Sequence, residues 1–290
     1  MLILISDAFD KGLSGKLSKF GEVTDDKNRV NEADVVLIRS KTKVTKEYMD
    51  AAPNLKLVIR GGVGLDNVDL EYAKEKGVAV HNTADASSIA VAECAFTLMI
   101  GITNHIGRAD SSMRNGQWIK KELKRTELYG KTLGIVGLGR IGTELAKRAI
   151  AFGMTVIAFD PFVESSDFAE MKSEMKDVLN VSDYVSLHLP LIDSTKGIIN
   201  SETLKEFKDG AFLINTGRGK TINEEDLVDA LKSGKIAGFG NDVWYSDPPE
   251  TNPFTELPNV LMMPHLGAST KENLLRIGDI VENIITEFVK

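Results

Sequence analysis

A chain of 290 residues, 42% hydrophobic and 27% charged, is long enough for two ordinary domains and has the composition of a globular protein. Its net charge of −7 argues against a nucleic-acid partner, and its single cysteine, Cys94, excludes an internal disulfide and suits a reducing, cytoplasmic compartment. Met1 to Ile5 is too short for a secretory leader, and the apolar stretch Ser88 to Ile102 contains Glu93 and is expected to be too short to span a bilayer.

The first 80 residues alternate strand and helix signals. Apolar runs at Leu2 to Ile5, Val35 to Ile38, Leu55 to Ile59 and Val78 to Val80 predict strands, and helical segments at Lys46 to Ala51 and Leu70 to Lys76 separate the later ones. Such alternation implies a parallel sheet with helices on its faces. Arg39-Ser40-Lys41-Thr42-Lys43 and Arg60-Gly61-Gly62-Val63-Gly64 each follow a strand, where open α/β sheets take their ligands. Arg39, Lys43 and Arg60 are therefore expected at one edge, suited to a substrate with two anionic groups. Gly62, Val63 and Gly64 either turn backbone amides toward an anion or simply connect strand to helix.

Ser87 to His105 predicts a helix that is apolar over a wide arc, as expected of a helix buried between two bodies. A domain boundary is expected within it. This gives a substrate-binding domain of residues 1–97 plus 269–290 and a dinucleotide-binding domain of residues 98–268, with the amphipathic helix Lys271 to Val289 returning to the first domain.

The second domain opens on Lys131 to Asp160. Leu133 to Val136 is a strand that runs into Gly137-Leu138-Gly139-Arg140-Ile141-Gly142; a helix follows, then a second strand, Thr155 to Phe159, and Asp160. Gly137 permits the tight turn, Gly139 lets the backbone approach a pyrophosphate, and Gly142 lets the helix pack on the sheet. The unpaired amides and positive end of the helix attract phosphate. Asp160 would accept the ribose hydroxyls and repel a 2′-phosphate, so NAD is expected rather than NADP. Further strands are expected at Tyr184 to Leu189, Ala211 to Asn215, Ile236 to Phe239 and Val260 to Met263, and helices near Glu174 to Asn180, Glu202 to Lys208 and Glu224 to Lys232, the last capped by Asn223. The expected cofactor contacts are Gly137, Gly139, Arg140, Ile141, Gly142, Asp160 and Pro161, with His188, Pro190, Thr216, Asp242 and Gly267 along the later strand ends. No metal site is expected.

Those strand ends also carry Arg218, Asp247 and His265. A guanidinium grips a carboxylate and polarises the neighbouring carbonyl, which fits Arg218. A histidine exchanges the hydroxyl proton, which fits His265, and a carboxylate on its other nitrogen fixes the tautomer, which fits Asp247. His81, His105 and His188 are weaker candidates for this role.

Together GKTLGIVGLGRIG, Asp160, INTGRG, the Asp242 strand and PHLGAST resemble the signature blocks of the NAD-dependent D-2-hydroxyacid dehydrogenases, over almost the whole chain. The resemblance implies two doubly wound parallel-sheet α/β domains, a flavodoxin-like substrate domain and a Rossmann NAD domain. It makes Arg218 the ligand of the substrate carboxylate and His265 the acid/base. The family's Glu partner of that histidine becomes Asp247, one methylene shorter, so the contact is expected either to be longer and weaker or to need a backbone shift, with Glu250 as an alternative. IRSKTKVT, Arg60-GGVGLDNVDL and TELYGKTLGIVGLGRIG are similar to the phosphoglycerate dehydrogenase branch, which implies a phosphorylated 2-hydroxy acid near Arg39, Lys43 and Arg60. Ala84 and Ser87 stand where many relatives carry Pro and Asn. The resemblance also implies a homodimer formed through the nucleotide domain, and no regulatory extension is expected beyond the last helix. A glyoxylate or hydroxypyruvate reductase, or an NAD-sensing corepressor-like protein, are the alternatives.

Overall fold

The computed structural model describes all 290 residues. They divide into two compact units, Met1–Ser88 with Ala268–Lys290, and Ile89–Gly267.

The first unit holds β1 (Leu2–Ile5), α1 (Leu13–Leu17), β2 (Glu22–Thr24), β3 (Val35–Ile38), α2 (Lys46–Asp50), β4 (Leu57–Arg60), α3 (Leu70–Lys76) and β5 (Ala79–Asn82). All strands are parallel in the order β2-β1-β3-β4-β5, the flavodoxin-like arrangement. Alternation along the strands splits the core into two layers. Leu4, Val36, Ile38 and Val58 pack with Met49 of α2 and Ala73 of α3, whereas Ile3, Val35, Leu37, Leu57 and Ile59 pack with Leu13 and Leu17 of α1. Each Val, Leu, Ile or Met side chain among these, fully buried, contributes roughly 1.5–3 kcal/mol. β2 and α1 were not expected. β2 is three residues with no buried position, and α1 is five residues that start without a side-chain cap, so neither carries a periodic signal.

The chain then runs through α4 (Ala84–Thr103) and α5 (Ile106–Arg114). The division falls after Ser88, inside α4, rather than after residue 97, because Ala92, Ala95, Leu98 and Met99 belong to the second unit's core. The helix does not continue to His105, which takes a left-handed φ of 51° and starts α5 instead. The expectation that this apolar stretch is too short to span a bilayer is also corrected. α4 has 20 residues and by length and composition is apolar enough to cross one, but 72% of that span is buried inside the protein, as in a core helix.

The second unit continues with β6 (Thr132–Val136), α6 (Arg140–Ala151), β7 (Thr155–Phe159), β8 (Glu170–Met171), α7 (Met175–Leu179), β9 (Tyr184–Leu187), α8 (Ser201–Glu206), β10 (Ala211–Asn215), α9 (Glu224–Ser233), β11 (Ile236–Asn241) and β12 (Val260–Met262). Its parallel order, β12-β11-β10-β9-β6-β7-β8, reverses at β6 and β9, which is the Rossmann switch point. One face packs on α4 and α6 through Leu133, Ile135, Leu98 and Leu145. The other packs on α7, α8 and α9 through Val136, Val185, Leu204 and Leu227. Asn223 caps α9 by accepting the Glu225 and Asp226 amides, while three acids in the first turn oppose the dipole.

The last helix, α10 (Lys271–Phe288), belongs to the first unit, where Ile277, Val281 and Ile285 complete the layer that contains α1. Lys16 of α1 also meets Asp279 at 2.6 Å, an exposed pair that adds little.

Candidate active site

In the second unit β6 runs straight into the glycine turn. Gly137 has φ +96°, and a Cβ there would lie 2.7 Å from the His188 carbonyl oxygen. A Cβ on Gly142 would lie 2.5 Å from the Gly137 oxygen, so α6 can begin only against a bare backbone. Gly139 is different: nothing lies within 4 Å of a Cβ built there, which leaves open space above the turn. Beside that space the first-turn amides of α6 have no helical carbonyl to reach. Asp160 Oδ2 accepts the Leu138 N–H at 2.9 Å and its Oδ1 accepts the Phe162 N–H at 2.9 Å, so one carboxylate joins the turn to the end of β7.

Across the switch point, His188 follows β9 and Thr216 follows β10. The His188 Nδ1 and the Thr216 Oγ1 are both buried without a partner in the protein, as expected where a polar ligand completes the site. His188 Nε2 meets Ser186 Oγ at 3.0 Å, and burial lowers the ring's pKa to about 4, which keeps it neutral at pH 7.

The next three strand ends interlock. Asn215 accepts the Gly217 N–H on Oδ1 and donates from Nδ2 to the Arg218 carbonyl, each at 3.0 Å, which folds the loop carrying Arg218. The Arg218 guanidinium bonds the Gly217 carbonyl at 2.9 Å. A Cβ on Gly219 would meet the Trp244 carbonyl carbon at 2.3 Å, so that loop lies directly on the loop after β11. Trp244 in turn donates its indole N–H to the Met263 carbonyl at 3.0 Å. Asp242, 1% exposed, accepts the amides of Leu266 and Gly267 at 2.7 Å each. Burial raises its pKa, although those two amides oppose the shift.

His265 adopts φ +57°, uncommon for a residue with a side chain, and its Nδ1 bonds Asp247 Oδ2. The longer contact expected of the shorter carboxylate does not occur, since Asp247 reaches the ring directly. Glu250 is not the partner; its own N–H donates to Ser246 Oγ. With Nδ1 engaged, Nε2 is the nitrogen left to exchange a substrate proton. A guanidinium, a carboxylate-supported imidazole and a dinucleotide turn are thus all carried by one sheet edge.

Residues 96–267, nearly the whole of this unit, match the family model described as D-isomer specific 2-hydroxyacid dehydrogenase, NAD binding domain. The chain belongs to that family. The dehydrogenase is 46% identical over 262 residues to a hydroxypyruvate reductase from Thermotoga maritima, covering 89% of this chain and 86% of the relative. It is 41% identical over 300 residues to a D-3-phosphoglycerate dehydrogenase from Methanocaldococcus jannaschii, covering 99% of this chain but 57% of the relative. The chain thus spans little more than half the length of that phosphoglycerate dehydrogenase. Its fold matches the crystal structure of a D-lactate dehydrogenase from Aquifex aeolicus complexed with NAD and lactic acid, with a TM-score of 0.87 and 28% identity over 100% of this chain and 95% of that one.

The cofactor of this dehydrogenase is NAD, which supplies hydride acceptance and donation when bound. The site fits it: the space above Gly139 suits a pyrophosphate, the Asp160 oxygens retain lone pairs for ribose hydroxyls, and His188 and Thr216 offer unmet polar atoms.

In the dehydrogenase's first unit the register pairs Ile38 with Arg60, so Arg39 and Arg60 leave adjacent strands at one edge. Lys43 is exposed four residues further on. A Cβ on Gly62 would lie 1.8 Å from Arg60 Nη1, so the guanidinium lies over this glycine. Gly62 donates its amide to Thr83 Oγ1 at 2.9 Å, which leaves Val63 and Gly64 as the donors of the loop.

Asp7, Asn67 and Thr83 went unrecognised in the sequence. Asp7 follows β1 at the β1/β3 switch point of this sheet, accepting the Arg39 N–H at 2.6 Å and the Thr42 hydroxyl at 2.8 Å. Burial works against its charge, but these bonds outweigh it and hold the carboxyl below the usual range. Asn67 donates to the Arg39 and Thr42 carbonyls at 2.7 and 2.6 Å. The strand-end rule that singled out Arg39 and Arg60 also applies to Asp7; no local pattern marks Asn67.

Proposed function

We propose that the dehydrogenase interconverts 3-phospho-D-glycerate and 3-phosphohydroxypyruvate with NAD. The observation that carries this reading is the pair Arg39 and Arg60 at adjacent strand ends, a cationic edge that suits a phosphate in addition to a carboxylate. Arg218 holds the carboxylate; His265 Nε2 gives its proton to the forming alkoxide during reduction and takes it back during oxidation. Asp247 holds the ring and stabilises the imidazolium. General acid–base help of this kind is worth about 10² to 10⁴ in rate.

A hydroxypyruvate reductase is the second reading, favoured by the 46% identity to the Thermotoga maritima protein. It uses the same acid/base without requiring the cations. The proposal includes a homodimer formed through the second unit, supported by the exposed Trp118, Tyr129 and Phe152.

The test is kcat/KM for NADH oxidation with 3-phosphohydroxypyruvate, hydroxypyruvate and glyoxylate, for the wild type and Arg60→Ala. A preference for the phosphorylated keto acid that Arg60→Ala abolishes supports the first reading. Equal or better rates with the small keto acids, unchanged in the variant, support the second.

A further inference from the structure

We infer that Asn215 and Asp242 are a pair of positioning residues, one holding Arg218 and the other holding His265. This rests on the dehydrogenase reading of the site but not on which keto acid is the substrate. Asn215 ends β10 and Asp242 follows the end of β11, and the Asp242 N–H donates to the Asn215 carbonyl at 3.0 Å. Their backbones are thus tied together, and their side chains turn to different loops.

Asn215 is fully buried and spends both ends of its amide on the loop that follows it, accepting from Gly217 and donating to Arg218. Thr221 Oγ1 donates to the same Arg218 carbonyl at 2.7 Å. These two side-chain donors, together with the Thr221 N–H at 3.3 Å, hold the carbonyl and fix the backbone from which the guanidinium extends. Asparagine suits this position because it offers an acceptor and a donor from one planar group.

Asp242 faces the opposite requirement, two amides on consecutive residues, Leu266 and Gly267, directly after His265. Only a carboxylate presents two acceptor oxygens; an asparagine presents one. A Cβ on Gly267 would lie 3.0 Å from Asp242 Oδ2, so the amide comes this close because residue 267 lacks a side chain. The two bonds over-determine the turn in which His265 takes its positive φ, a conformation that persists only where its surroundings enforce it. Burying a carboxylate is unfavourable, and the amides offset part of that. Asp242 was expected among the cofactor contacts; its principal task on this geometry is to hold the acid/base.

The two roles separate kinetically. Loosening Arg218 weakens the grip on the keto acid and raises KM, whereas loosening His265 displaces the proton donor and lowers kcat. The test uses whichever 2-keto acid the wild type reduces fastest, so an error in the assigned substrate does not affect it. Steady-state kinetics, NADH Kd and Tm are measured for Asn215→Ala, Thr221→Val, Asp242→Asn and Gly267→Ala. The expected result is a KM about tenfold higher for Asn215→Ala, a smaller rise for Thr221→Val, and kcat near wild type in both. Asp242→Asn is expected to lose about a hundredfold in kcat, Gly267→Ala to follow in the same direction, and NADH Kd to stay at the wild-type value throughout. Should Asn215→Ala or Asp242→Asn fail to fold, Thr221→Val and Gly267→Ala carry the same comparison. The inference is overturned if Asp242→Asn weakens NADH binding and keeps its kcat, which would make the carboxylate a cofactor ligand. It is also overturned if KM and kcat worsen together in every variant in step with Tm, or if none of them changes.

Discussion

Asp247 bonds the Nδ1 side of His265 from a loop 18 residues earlier in the chain. The ring is therefore held at one nitrogen and offered at the other. Asp247→Ala is expected to lower kcat by about 10² or more, through loss of ring orientation and of imidazolium stabilisation. Asp247→Glu keeps a carboxylate and is expected to retain most of the rate. Steady-state kinetics with saturating NADH decides, and an Asp247→Ala kcat equal to wild type would remove this residue from the mechanism.

Gly139 faces open space, whereas Gly142 faces packed backbone. Gly139→Ala meets no protein atom, so Tm should stay at the wild-type value while the NADH Kd rises about tenfold or more. Gly142→Ala presses on the Gly137 carbonyl and should cost about 1–3 kcal/mol of stability as well as NADH affinity. Thermal unfolding beside fluorescence titration reads both. Unimpaired NADH binding by Gly139→Ala would mean that the pyrophosphate lies elsewhere.

His188 makes stability depend on pH in a known direction. Its ordinary pKa of 6.5 falls to about 4 in the folded protein, so the unfolded chain binds this proton first as pH drops. Its contribution is full above pH 6.5 and is lost toward pH 4, by up to about 2 kcal/mol at pH 5. Urea unfolding of wild type and His188→Gln at pH 7 and pH 5 isolates it. Wild type should lose more stability than the variant on acidification; equal losses would show that the ring is not held neutral by burial.

Sequence periodicity disclosed both sheets, because strands such as Val35–Ile38 and Leu133–Val136 are buried on both faces and read as continuous apolar runs. It missed β2 and β8, short strands at sheet edges, for the same reason in reverse. Gly137 to Gly142, Arg218 and His265 were legible because each sits in a local block with a chemical task. Asn67 and the amide contacts of Asp242 were not. Asn67 reaches 25 and 28 residues back in the chain, and the Asp242 bonds reach 24 and 25 residues forward, so each exists only once the strands are assembled. The boundary within α4 was misread by several residues because one apolar helix supplies core residues on both sides of Ser88.

Exchange of the hydroxyl proton by His265 is the central step of the proposed reaction. Single-turnover oxidation of bound NADH by the fastest-reduced 2-keto acid, compared between wild type and His265→Gln, measures that step alone. The predicted result is a fall of about 10² to 10⁴ in the rate with NADH Kd unchanged. A His265→Gln rate close to wild type would contradict the assignment of acid and base at this site.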